Sequence, residues 1–168
     1  MRVRASAVVI AMLGTVILSG TVQAANESPG IRADLDGRPI KASEISSYYC
    51  HDFAFPDVHC FSSGSELEAS LIVGGGLIAA AFGPNDYVTV YSEPTYAGSY
   101  MHLSQNYDTL FWIGWSDRIS SYKARNNGRG TFWSDWYGTG RRTDFCCGQT
   151  APSLSSTVDN TFTSVYRG

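Results

Sequence analysis

The chain has 168 residues, with 12 Lys and Arg against 15 Asp and Glu, a formal net charge of −3 and four cysteines. That mildly acidic balance argues against nucleic acid as the main partner, because a phosphate backbone calls for a basic surface. The first residues sharpen the point. Arg2 and Arg4 precede an apolar run from Ala5 to Leu18 and a small-residue end at Val22-Gln23-Ala24, which reads as a secretory signal peptide over residues 1–24. The expectation is a secreted, extracellular protein with no stable membrane anchor after cleavage, since the run is shorter than a span needs. Losing Arg2 and Arg4 and no acid takes the charge from −3 to −5. The remaining residues suffice for one domain of ordinary size plus an appendage.

Residues 25–85 read as an N-terminal region with short helices and a cysteine loop. Up to residue 40, Gly30, Asp36-Gly37 and Pro39 suggest a frayed terminus or turn-rich arm. Ser43 to Tyr49 could form a short helix with Ser43 as its N-cap. Cys50-His51-Asp52 and His59-Cys60 follow, around Pro56. Thiolates and imidazoles are zinc ligands, but adjacent Cys-His pairs do not suit one tetrahedral ion, and an exported chain favours disulfides. A paired thiol cannot act as a nucleophile either. Four thiols allow three pairings. Cys50 with Cys60 is the favoured one, whereas Cys146 and Cys147 could bridge each other or each reach the Cys50–Cys60 segment. Ser65-Glu66-Leu67-Glu68 fits a capping box that opens a helix, with Ser65 and Glu68 as the pair. The apolar stretch from Ala69 to Phe82, broken by Gly74-Gly75-Gly76, reads as a connector, with membrane insertion as its functional alternative. Gly83-Pro84-Asn85-Asp86 is the domain boundary.

From Tyr87 the pattern is that of strands. Val88 and Val90 alternate with Tyr87, Thr89 and Tyr91, and Glu93-Pro94-Thr95 makes a turn before Tyr96 and Gly98. Ser116-Asp117-Arg118-Ile119-Ser120-Ser121 is an oxygen-rich arch that enters the next strand. The pattern then recurs. Phe132 to Gly138 answers Tyr91 to Gly98, and Asp159-Asn160-Thr161-Phe162-Thr163-Ser164 answers the arch. Gly98 to Gly138 is 40 residues and Asp117 to Asn160 is 43, so the two halves are an internal repeat, over about 87–125 and about 130–168. Two repeats of four strands each make one β-sandwich.

This combination resembles the Greek-key motifs of the βγ-crystallin superfamily, and the resemblance covers residues 86–168. The fold class it implies is all-β, with two Greek keys forming one sandwich behind a small mixed or helical disulfide-containing region. In calcium-binding members the arch reads Asn/Asp, Asn/Asp, two free positions, Ser/Thr, Ser. The second arch matches throughout, and the first departs only at Ser116. The resemblance implies two Ca²⁺ sites shared between the repeats. Their side-chain ligands would be Asp117, Ser120, Asp159, Asn160 and Thr163, with turn carbonyls from Glu93 and from Ser134 or Asp135. Such oxygen donors suit a hard cation, and one or two anionic ligands per site imply a modest affinity, on the order of 10⁻⁵–10⁻³ M. The final Ser121 and Ser164 have a structural alternative, which is to hold the folded hairpin.

No Gly-x-Ser-x-Gly, His-Glu-x-x-His or phosphate-cradling loop occurs, so the expectation is a non-enzymatic structural or binding protein with no catalytic residues. The rival readings are an inhibitor with a secreted protease (a metalloproteinase) as its protein partner, on fold-level analogy, and a killer-toxin-like or membrane-active protein, on the apolar segment.

Overall fold

The computed structural model describes residues 30–73 and 87–168. The expected signal peptide, the Gly83–Asp86 boundary and most of the apolar stretch lie outside them. Eleven strands are present among the described residues. Those before the boundary are β1 (Arg32–Leu35), β2 (Arg38–Ile40), β3 (Tyr49–Ala54) and β4 (Asp57–Phe61). The first repeat contributes β5 (Val88–Tyr91), β6 (Tyr100–Leu103) and β7 (Ser121–Ala124). The second contributes β8 (Arg129–Trp133), β9 (Arg142–Cys146), β10 (Thr150–Ala151) and β11 (Ser164–Arg167).

One sheet has the order β10-β7-β5-β6-β3-β4-β1-β2 and the other β11-β8-β9. The two repeats exchange strands between these sheets. β10, from the second repeat, pairs with β7 of the first, while Tyr107 of the first repeat bridges Val165 on β11. Each Greek key thus completes its partner's sheet, so neither can close alone. The facing surfaces bury Val88, Val90, Met101, Leu103 and Tyr122 against Phe132, Phe145 and Val165. Phe132 lies 4.7 Å from Phe145 and stacks on Phe162 at 4.8 Å, so packed aromatic rings fill the space between the sheets.

The N-terminal strands extend the first sheet. β3 runs parallel to β6, with Cys50 opposite Met101 and His51 opposite His102. Cys50 and Cys60 face each other across β3 and β4 and form the favoured disulfide, and Cys146 bonds Cys147. The Cys50 and Cys60 thiols are therefore not available to zinc.

Three local expectations need correction. Residues 32–40 form a β-hairpin rather than a frayed terminus; the expected turn is there, because Asp36 and Gly37 (φ 50° and 79°) make the tight left-handed turn that hairpin twist favours. The short helix is a 3₁₀ helix over Ala42–Ser47 capped from Lys41, whose N–H donates to Glu44 Oε2 at 2.9 Å; Ser43 is already inside it. Helix α1 (Gly64–Val73) is capped two residues earlier than the box suggested. Ser63 Oγ accepts from Glu66 N–H at 3.3 Å and donates to Glu66 Oε2 at 2.9 Å. Glu68 instead accepts from Tyr100 O–H at 3.1 Å, pinning α1 to β6.

Candidate metal centre

Each repeat folds its first hairpin back on itself and clamps it with the last serine of its arch. In the first, Ser121 Oγ donates to Glu93 O at 2.6 Å and accepts from Tyr96 N–H at 3.2 Å. In the second, Ser164 Oγ donates to Asp135 O at 2.6 Å and accepts from Gly138 N–H at 3.1 Å. Both hydroxyls are fully buried. The structural alternative for these two serines is therefore the one realised.

The clamps also correct the register of the repeat. Glu93 corresponds to Asp135, Tyr91 to Trp133, and Tyr96 to Gly138. Gly98 thus answers Gly140, 42 residues on, where the sequence suggested Gly138. Gly98 and Gly140 have φ of 74° and 80°, and a Cβ at either would collide with the serine that opens the turn, Ser92 or Ser134.

The two arches cross at the contact between repeats. Asp117 N–H donates to Phe162 O at 2.9 Å, and Asn160 N–H donates to Ile119 O at 3.1 Å, which is the same bond made in both directions. Asp117 and Asn160 both take the left-handed conformation, with φ of 56° and 53°. Asx residues tolerate that conformation best after glycine. Ser120 and Thr163 are buried, and each points at the other arch. Ser120 Oγ lies 3.2 Å from Asn160 Oδ1, and Thr163 Oγ1 lies 3.4 Å from Asp117 Oδ1. Ser116 Oγ approaches Thr163 Oγ1 at 3.3 Å. Ser116, Asp117 and Thr163 form one oxygen cluster. Ser120 and Asn160 form the other, and Asp159 stands at the position in the second arch that Ser116 occupies in the first.

The remaining candidates sit at the turns. Glu93 O and Asp135 O already accept one hydrogen bond each from the clamping serines, and a carbonyl oxygen has a second lone pair for a ligand. Ser134 Oγ accepts from Arg141 N–H at 2.9 Å, so the side chain of Ser134 serves its own turn. Among the described residues no three His, Cys, Asp or Glu side chains converge as a metal-ligating set. The donors at the arches are hydroxyl, amide and a single carboxylate per cluster, all hard oxygens.

One buried acid escaped the sequence reading. Asp52 is fully buried on β3 and accepts from Ser104 N–H at 2.6 Å and Tyr107 O–H at 2.8 Å. It ties the N-terminal strands to the strand that the first repeat gives away. Burial pushes its carboxyl up to about 6, against the opposing effect of these hydrogen bonds, and it holds the Tyr107 phenol well above its ordinary value. Strand parity was the available signal, since Asp52 is two residues from the buried Cys50 and so shares its face.

No protein-family model matches the chain, and no curated protein matches it. Among solved structures, a chain representing the eye-lens βγ-crystallin domain fold aligns over 50% of this chain and 86% of its own, at 16% identity and a TM-score of 0.48. A βγ-crystallin from Ciona intestinalis aligns over 48% and 98%, at 18% identity and 0.44. A βγ-crystallin domain from Flavobacterium johnsoniae aligns over 49% and 94%, at 22% identity and 0.44. Those scores carry no weight by themselves. The exchanged third strands, the two serine-clamped hairpins and the two crossed arches give residues 87–168 a fold of two Greek keys like that of βγ-crystallin domains.

Proposed function

We propose that this is an exported, non-enzymatic βγ-crystallin-type protein whose paired arches bind calcium and thereby lock the two repeats together. The observation that carries the reading is Asp159 Oδ1, a buried carboxylate oxygen with no hydrogen-bond partner. Leaving such an atom unpaired costs on the order of several kcal/mol, and a cation is the partner that a carboxylate oxygen among hydroxyl and amide oxygens would take. The 3.2–3.4 Å separations between oxygens of opposite arches also suit neighbouring ligands around an ion with oxygens at about 2.4 Å.

Asp159, Asn160 and Ser120 would hold one ion, and Asp117 and Thr163 the other, with the carbonyls of Glu93 and Asp135 as supplementary donors. Bound calcium supplies a divalent charge that neutralises the carboxylate and fixes the hydroxyls. The chain's own contribution is to hold the oxygens in place. The left-handed Asp117 and Asn160 turn each arch, and the reciprocal backbone bonds keep the arches in register. Ser116 stands where the second arch has Asp159, and Asp117 where it has Asn160, so each cluster keeps one carboxylate but at a different position of its arch.

The test is thermal unfolding with calcium and with chelator, on the wild type and on Asn160→Ala with Thr163→Ala. Saturation at about 100 times Kd adds roughly 2.7 kcal/mol, so the wild type should melt several degrees higher with calcium. The variant should lose that difference. One melting temperature for the wild type in both buffers removes the metal reading.

A further inference from the structure

The duplication supplies an internal control for which surface residues the fold requires. In the first repeat the hairpin turn is Pro94-Thr95, and Thr95 N–H donates to Pro152 O at 2.6 Å. In the second the equivalent turn is Trp136-Tyr137, and Tyr137 N–H donates to Asp108 O at 2.8 Å. Thr95 and Tyr137 share the same left-handed backbone, with φ of 58° and 57°. Three residues beyond the two acceptors the pattern diverges again. Leu154 and Leu110 make matching bonds to Ser120 O and Thr163 O, and then Ser155-Ser156 stands at one end where Phe111-Trp112 stands at the other. Proline, threonine and two serines therefore satisfy the fold at one end of the molecule. The other end has four aromatic residues at the same places.

Those four come together because the repeats exchange strands. Phe111 stacks on Trp136 with centroids 6.1 Å apart and planes at 30°, Trp112 meets Phe111 at 5.3 Å, and Tyr137 meets Trp136 at 6.3 Å. They are not core residues: Phe111, Trp136 and Tyr137 are 51%, 42% and 67% exposed. Beside the rings lies a cavity of about 350 Å³ lined by Ser43, Phe111, Trp112, Gly114 and Ser116. Its lining has hydroxyls and aromatic edges and no charged side chain, and Asp108 and Asp135 flank the rings.

We propose that this end of the domain binds a neutral glycan, with Trp136, Phe111 and Tyr137 as the stacking platform and the hydroxyl-lined cavity beside it taking a sugar ring. A pyranose presents an apolar C–H face to an aromatic ring and hydroxyls around its edge, which is the chemistry this surface offers. Other occupants fit less well. Three partly exposed rings are a fraction of the roughly 800 Å² per partner that a stable protein interface buries. The flanking carboxylates and the acidic chain oppose an anionic lipid surface or an anionic polymer. The cavity falls within the size range of small-ligand sites. Ser116 also belongs to the first oxygen cluster, but the ring platform of Phe111, Trp136 and Tyr137 shares no residue with either cluster.

The experiment replaces the turn with the residues its twin already uses, Trp136→Pro with Tyr137→Thr, and separately makes Phe111→Ser. Purified protein is assayed for retention on insoluble cellulose, chitin and β-1,3-glucan, for retardation in gels containing mannan, and for sedimentation with phosphatidylcholine vesicles. The wild type should bind at least one polysaccharide. Phe111→Ser should bind it about tenfold more weakly, the loss of one stacked ring, and the double variant, which loses two, more weakly still. Melting temperatures should stay within about 2 °C of the wild type, since the substituted surface is solvent-exposed. Absence of retention on all four polysaccharides overturns the proposal, as does undiminished retention of both variants. Ring-dependent binding to the vesicles alone overturns it in favour of a lipid surface.

Discussion

Asp52 and His51 are neighbours on β3, and burial moves their ionisation in opposite directions. For Asp52 burial is the largest influence, and the carboxyl rises from 3.8 to about 6. Between those values the folded chain holds more protons at this site than the unfolded chain. Raising the pH through the window removes a proton that the fold favours, and stability falls. The rise corresponds to on the order of 3 kcal/mol. For His51 burial again leads, followed by the neighbouring His59 and His102 imidazoles, and the ring drops from 6.5 to about 4, with Asp34 acting weakly the other way. Here the unfolded chain holds more protons, so stability rises with pH over nearly the same window. The gain is somewhat under 3 kcal/mol, because the ring retains some solvent contact. The two slopes oppose each other between about pH 4 and 6. Asp52→Asn should expose the rising slope and His51→Phe the falling one. Asparagine can still accept from Ser104 N–H and donate to the Tyr107 hydroxyl, so the first variant should fold. Urea unfolding at pH 4, 5, 6 and 7 gives each curve. If the Asp52→Asn curve runs parallel to the wild type throughout, the carboxyl titrates like an exposed one and the reasoning is wrong.

Two further outcomes follow from the same geometry. Ser121→Ala and Ser164→Ala should each cost about 2–4 kcal/mol, because each leaves a carbonyl and an N–H of its turn without their partner. Equal losses in urea unfolding would mark the two clamps as equivalent, and a loss under about 0.5 kcal/mol in either would contradict the clamp for that repeat. The two disulfides should also separate by reactivity, since Cys146 and Cys147 are exposed while Cys50 and Cys60 are fully buried. Mild reduction and alkylation of the folded protein should add two alkyl groups by mass, and the same treatment in denaturant should add four. Simultaneous labelling of all four thiols without denaturant would rule out that burial.

Much of the domain was legible in the chain itself. A repeat of strand-period alternation, turn residues and an oxygen-rich arch is local information, so the two Greek keys could be read directly. Pairing Cys50 with Cys60 was legible for the same reason, since a short loop keeps the partners close. The cap of α1 and the Gly98 equivalence were each misplaced by two residues, because serine and glycine recur at neighbouring positions and only the hydrogen bonds choose between them. What the chain did not disclose depends on non-local contact. The parallel pairing of β3 with β6 joins residues about fifty positions apart and makes the N-terminal strands part of the sheet. Asp52 became a tie between them only when Ser104 and Tyr107 were brought to it. The aromatic platform is the clearest case. Phe111-Trp112 and Trp136-Tyr137 belong to different repeats, and only the strand exchange puts them together at the surface. Local chemistry is written in the order of residues, but what each face meets is decided by how the repeats cross.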